Sequence, residues 1–154
     1  MRSVVVEREV AAPRARVWAV LADYPNIFEW NDGVINSYCL GEASEGVGAQ
    51  RRCELVPKGR MRMRETVEEW VPEERMVIVI DEIEKMPVRS ATMTFTLADG
   101  GEATPFTMSY EYEPRGGPLG AILGPVLDRQ MDKGFNGFVD GLERVAQAQA
   151  QTTA

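Results

Sequence analysis

Three polar side chains stand among apolar neighbours in this sequence, and their types suit proton transfer or the orientation of a carbonyl. Glu65 falls in Arg60–Val71, a segment of strict alternation, and shares a face with Met61, Met63 and Val67. A carboxylate on an apolar face must be paired or hold its proton. Arg89 is the expected partner, because alternation groups it with Ala91, Met93, Phe95 and Leu97. Such a pair could orient a ligand carbonyl or phenol, or Glu65 could act as general acid or base. A structural salt bridge, or a strand end where both groups reach water, is the plain alternative, since one bulge reverses either residue's facing. Tyr110 and Tyr112 lie on the aromatic side of Ala103–Glu113. A phenol there could donate to a ligand oxygen; the alternative is a core tyrosine bonded to backbone. Glu65, Arg89 and Tyr110 are the candidate catalytic residues.

What is missing narrows the chemistry further. The 154 residues contain no histidine. That removes Ser-His-Asp and Cys-His nucleophiles, histidine-ligated zinc and a histidine base. The formal charge of −7, from 17 basic and 24 acidic residues, opposes generic binding to nucleic acid or anionic membranes. Arg60, Arg62 and Arg64, with Arg51 and Arg52 on the neighbouring strand, could form an outward basic ribbon. A solvated sheet face explains such a ribbon equally well. Cys39 and Cys53 are too few for a disulfide scaffold and lack metal-ligand spacing, so both are expected as reduced thiols. No metal site is expected. Gly116-Gly117-Pro118-Leu119-Gly120 precedes a helix but carries no phosphate-loop or dinucleotide signature, and reads as a flexible start to that helix. The N-terminus has no secretory core, and Leu119–Leu127, about nine residues, is half a bilayer span. A cytoplasmic protein without stable membrane insertion is the expectation.

The elements that position these residues follow from periodicity. Ser3–Val10 reads as a strand. Pro13 opens a helix carrying Val17, Trp18, Val20 and Leu21, which Tyr24-Pro25 ends before a second short helix to Trp30. After Asn31-Asp32-Gly33 the period becomes two. Val34–Leu40, Gln50–Val56, Arg60–Val71, Met76–Ile83, the segment after Pro87 and Ala103–Glu113 make six consecutive strands. Cys39 and Cys53, on adjacent strands, could lie roughly opposite each other. Beyond Gly117, Ile122, Val126, Met131, Phe135, Phe138, Leu142 and Val145 read as a stripe at three- and four-residue spacing. Pro125 should kink that region or mark the true start of the helix. The class is α+β.

The segments Val10-Ala11-Ala12-Pro13, Val17–Tyr24, Trp30-Asn31, Arg64–Trp70 and Asp132-Lys133-Gly134-Phe135 resemble the SRPBCC or START-like superfamily, which includes the birch-pollen-allergen-like proteins. Bacterial polyketide cyclase/dehydrase-like proteins are the nearest group within it. The likeness spans Ser3 to about Val145. It implies a helix-grip fold: a curved antiparallel seven-stranded sheet, in the order β-αα-β6-α, wrapped around a long C-terminal helix with an internal cavity. One domain, 1–146, and a flexible tail, 147–154, are expected.

The resemblance implies a function in the cavity, and the alternation supports one. Met61, Met63, Met93, Met108 and Met131 fall on the inferred inner face, and methionine repacks around varied apolar guests. With Glu65, Arg89, Phe95, Tyr110, Phe135 and a rim residue, Trp30, they are the expected ligand-binding set. Trp30 could instead anchor the short helices. The expected activity is binding or transport of a small hydrophobic ligand, such as a lipid, quinone or polyketide-like aromatic. A polyketide cyclase or aromatase-dehydratase, and a protein-interaction module like the superfamily's chaperone co-regulators, are the alternatives. No cofactor is expected, and the chain is a monomer or homodimer.

Overall fold

A computed structural model describes residues 1–55 and 60–152, with side chains to Ala148. The strands are β1 (Arg2–Val10), β2 (Val34–Leu40), β3 (Gln50–Leu55), β4 (Met61–Val71), β5 (Arg75–Glu84), β6 (Val88–Leu97) and β7 (Thr104–Pro114). The helices are α1 (Arg14–Ala22) and α2 (Gly117–Thr152), and a 3-10 segment, Tyr24–Glu29, follows α1. The expected end of the third strand at Val56 lies outside the described residues. So do the last residues of the expected flexible tail; the backbone before them is helical to Thr152.

All seven strands form one antiparallel sheet in the order β1-β7-β6-β5-β4-β3-β2. The connections from β2 onward join sheet neighbours, and β1 crosses to pair with β7, aligning Val4 with Tyr110 and Val6 with Met108. Register shifts curve the sheet. On β5, Glu82 takes a positive φ of 47°, and two residues there oppose one on β4 between Arg62 and Arg64. A second shift, between Val67 and Glu69, turns Trp70 inward against Trp18, ring centroids 5.2 Å apart. Each bulge adds local twist and bends its strand. The concave face so formed is closed by α1, the 3-10 segment and α2.

Helix α2 is fastened along its length. Asp128 accepts hydrogen bonds from the Arg2 guanidinium, the shortest 2.6 Å, and one from the Tyr112 hydroxyl at 2.6 Å. Arg8 on β1 pairs with Asp140 at 2.8 Å. Gly141 permits the closest approach: a Cβ there would strike the Trp30 carbonyl oxygen. The buried stripe differs from the expected one at its start. It runs through Gly120 and Gly124, then Leu127, Met131, Phe135, Phe138 and Leu142. Ile122 and Val126 are exposed, with Leu119 and Leu123 beside them. The step from Val126 to Met131 is five residues, which turns a helix about 140° away from its own stripe. Pro125 sits inside the continuous helix, where it withholds the N–H that would bond the Ala121 carbonyl.

Candidate functional site

A cavity of about 350 Å³ lies between the sheet and α2. Its walls come from β3–β7, the 3-10 segment, the Asn31–Val34 turn and the middle of α2. Gly33, Pro87 and Gln130 are wall residues that also reach the surface, marking where it opens. The volume sits at the low end of the range for small-molecule pockets. Methionine is prominent in the apolar lining. Met61, Met63, Met86, Met93, Met108 and Met131 all face the space, although only Met93 and Met108 are themselves fully buried. Phe95 and Phe138 close one end, where they stack at 5.3 Å.

Glu65 projects into this space from β4, with only 5% of its surface accessible. Its partner is Arg51 on β3, directly across the ladder. The Arg51 Nε donates to Glu65 Oε2 at 2.5 Å, and Nη2 contacts the same oxygen. Nη1 donates to the Tyr24 carbonyl at 2.7 Å, and the guanidinium lies 3.9 Å over the Tyr24 ring. Burial alone would lower the Arg51 pKa, but the Glu65 charge leads the opposing effects and leaves it raised. The pair is therefore a buried ion pair with its cation held from three sides. Glu65 Oε1 makes no hydrogen bond among the described residues, yet it is not sealed among protein atoms; it faces the cavity.

Tyr110 points in from β7, packing at a tilt on Phe135 with centroids 5.0 Å apart. Its hydroxyl also has no hydrogen-bond partner among the described residues. Burial raises its pKa, and the Glu65 carboxylate adds to the effect, so the phenol stays protonated. Tyr112, its neighbour on the same face, is committed instead to Asp128.

The expected ligand-binding set meets in this cavity except for two members. Arg89 is not the partner of Glu65: it is exposed and lies 3.6 Å from Glu113 on the outer surface. A register shift between Val88 and Ser90 moves it out of phase with Ala91, so Val88 is buried and Arg89 is not. Trp30 is buried against Phe138, centroids 4.8 Å apart, and anchors the 3-10 segment without lining the large cavity. The residue that sequence reasoning misplaced is Arg51, grouped with the outward ribbon. Consecutive residues of a strand cannot share a face. Arg52 does point outward, to Glu82 at 3.1 Å, so Arg51 had to point inward. That ribbon is charge-compensated: Arg64 pairs with Asp81 at 2.8 Å and Arg62 lies 3.4 Å from Glu84. Cys39 and Cys53 are both free and not opposite one another, because Cys53 faces Ser37 and Cys39 faces Arg51. No group of His, Cys, Asp or Glu among the described residues could hold a metal ion, and no described helix is long and apolar enough to cross a membrane.

A curved seven-stranded sheet gripping a long helix over an apolar hollow defines the helix-grip class. The chain belongs to the polyketide cyclase/dehydrase and lipid transport family, whose model matches residues 1–147. No curated protein sequence matches it at a significant level. Among solved structures it is similar to TTHA0849 from Thermus thermophilus, at 23% identity over 96% of this chain and 99% of that one, TM-score 0.81. It is also similar to a START superfamily protein from Mycobacterium smegmatis, at 16% identity over 95% and 98%, TM-score 0.78. The Zhui aromatase/cyclase from Streptomyces sp. R1128 matches at 17% identity over 97% and 95%, TM-score 0.77. These likenesses establish the shared fold.

Proposed function

We propose that this protein binds or carries a small hydrophobic molecule, a lipid, quinone or polyketide-like aromatic, in its internal cavity within the cytoplasm. The observation that carries the reading is the methionine-lined hollow itself. A packed interior leaves few voids larger than a water molecule, and a space of this size sacrifices contacts that a merely structural core would keep. Methionine walls suit a guest whose shape varies, and the few polar groups suffice to fix its orientation. Native mass spectrometry, with solvent extraction of whatever copurifies, tests the reading directly. The expected result is a discrete apolar adduct or saturable uptake of an apolar probe; no saturable uptake of any such probe overturns it.

A second reading has one specific observation behind it. Glu65 presents a free carboxylate oxygen to the same space as the Tyr110 hydroxyl, which is an acid–base arrangement suited to cyclisation of a poly-β-keto chain. The family description includes cyclases and dehydrases. Under this reading Glu65→Gln abolishes turnover of a polyketide mimic while binding persists. Under the carrier reading the same substitution changes affinity alone.

A further inference from the structure

We infer that the ligand of this cavity carries a neutral hydroxyl or phenol, and that its O–H donates to Glu65 Oε1. The inference rests on the hydrophobic-ligand reading and specifies the chemistry of the guest's inner end. The geometry is asymmetric. Both Arg51 contacts fall on Glu65 Oε2, leaving Oε1 as a carboxylate oxygen with no donor among the described residues, inside a space whose walls are otherwise mostly apolar. A buried anionic acceptor left without a donor is costly, and a hydrogen bond to a charged group is about twice as strong as a neutral one. Few other polar groups line this space. Tyr110, kept protonated by burial and by Glu65, supplies a second hydroxyl that can donate to the guest's oxygen. Asn31 spends its side-chain oxygen on the Gly33 N–H, and Gln130 lies at the exposed edge.

The same geometry discriminates against anions. Arg51 is already held by Glu65, by the Tyr24 carbonyl and by the Tyr24 ring. A ligand carboxylate reaching this end would meet Glu65 Oε1, like charge against like charge in surroundings that screen poorly. A free fatty acid inserted carboxylate-first is therefore excluded, whereas an alcohol or phenol of the same shape fits.

Three probes of nearly one shape test this on the full chain: 2-naphthol, 2-methylnaphthalene and 2-naphthoate, titrated at pH 7 by their own fluorescence. Affinities are referred to each probe's octanol–water partition. The expected order is naphthol tightest by about tenfold over methylnaphthalene, with naphthoate weakest. Glu65→Gln should erase most of the naphthol preference, tighten naphthoate and leave methylnaphthalene unchanged. Should that variant fail to fold, the wild-type series and Tyr110→Phe, expected to weaken naphthol relative to methylnaphthalene, decide the matter. Equal affinity for naphthol and methylnaphthalene, or naphthoate binding tightest, overturns the inference and leaves the hydrophobic-carrier reading standing. Failure of all three probes, together with every other apolar probe, removes both.

Discussion

The space between sheet and helix is solid at one end and hollow at the other, although the same β6 and α2 border both. At the solid end Phe95, Phe106, Phe138 and Trp30 stack in close succession, with centroid separations of 4.8 to 5.8 Å. Rigid rings with few rotamers fill space and hold it. At the hollow end the neighbouring positions are methionines, and the aromatic residues are Tyr110 with Phe135 and Tyr112 packed against it. The fold thus divides the length of one helix: one end holds the helix to the sheet, and the other leaves a hollow. The Arg51–Glu65 pair sits where the two regimes meet.

Substitutions at the two ends should differ in cost, and the largest difference is expected for truncation. Phe138→Ala should destabilise by about 3–5 kcal/mol in urea unfolding, whereas Met108→Ala, beside space already empty, should cost about 2 kcal/mol. Equal costs would break the contrast. At the boundary, Arg51→Met leaves Glu65 without its counter-charge and should cost about 3 kcal/mol; adding Glu65→Leu should recover most of that, because a matched apolar pair avoids the desolvation penalty. Overpacking sharpens the comparison in the other direction. Leu142→Phe, at the solid end, should cost about 1–3 kcal/mol; Met131→Phe should cost less than about 1 kcal/mol and reduce uptake of a bulky probe. The last effect is ionic and is absent at neutral pH. Burial, aided by Glu65, pushes the Cys53 thiol up from 9.0 to about 12. Below pH 9 the thiol is protonated whether the chain is folded or not. Between pH 9 and 12 only the unfolded chain loses its proton, so stability falls as pH rises through that window. Cys53→Ala should remove the slope between pH 9 and 10, above which the raised phenols of Tyr24, Tyr110 and Tyr112 add slopes of the same sign, and thiol titration of the native protein at about pH 8 should modify Cys39 ahead of Cys53.

Alternation placed Met61, Met63, Glu65, Met93, Met108 and Tyr110 on one concave face correctly, because a period of two needs no tertiary information. It failed where the period itself breaks. The bulge at Val88–Ser90 lies at the first residues of β6, where Val88 pairs with Pro114, and it moved Arg89 outside. Arg51 was hidden for a different reason. A basic residue beside another basic residue reads as surface, and Glu65 across the ladder, with the Tyr24 carbonyl and ring, makes an inward guanidinium tolerable. The front of α2 departs from its pattern because Gly120 and Gly124, not Ile122 and Val126, face inward; at Gly120 a Cβ would strike the Arg115 carbonyl oxygen. Cavity volume was beyond reach of any pattern, since it depends on how far the helix stands from the sheet.

The buried ion pair also bears on how the β3–β4 ladder finds its alignment. Sliding one strand by two residues keeps every side chain on its proper side, so hydrophobic patterning cannot forbid the mistake. In such a slipped state Arg51 would sit opposite Met63 or Val67, a lone cation in oil with no anion across from it. The correct pairing, Arg51 opposite Glu65, is the one of these alignments that neutralises both charges. The Arg51–Glu65 pair thereby also favours a single register during assembly of the sheet.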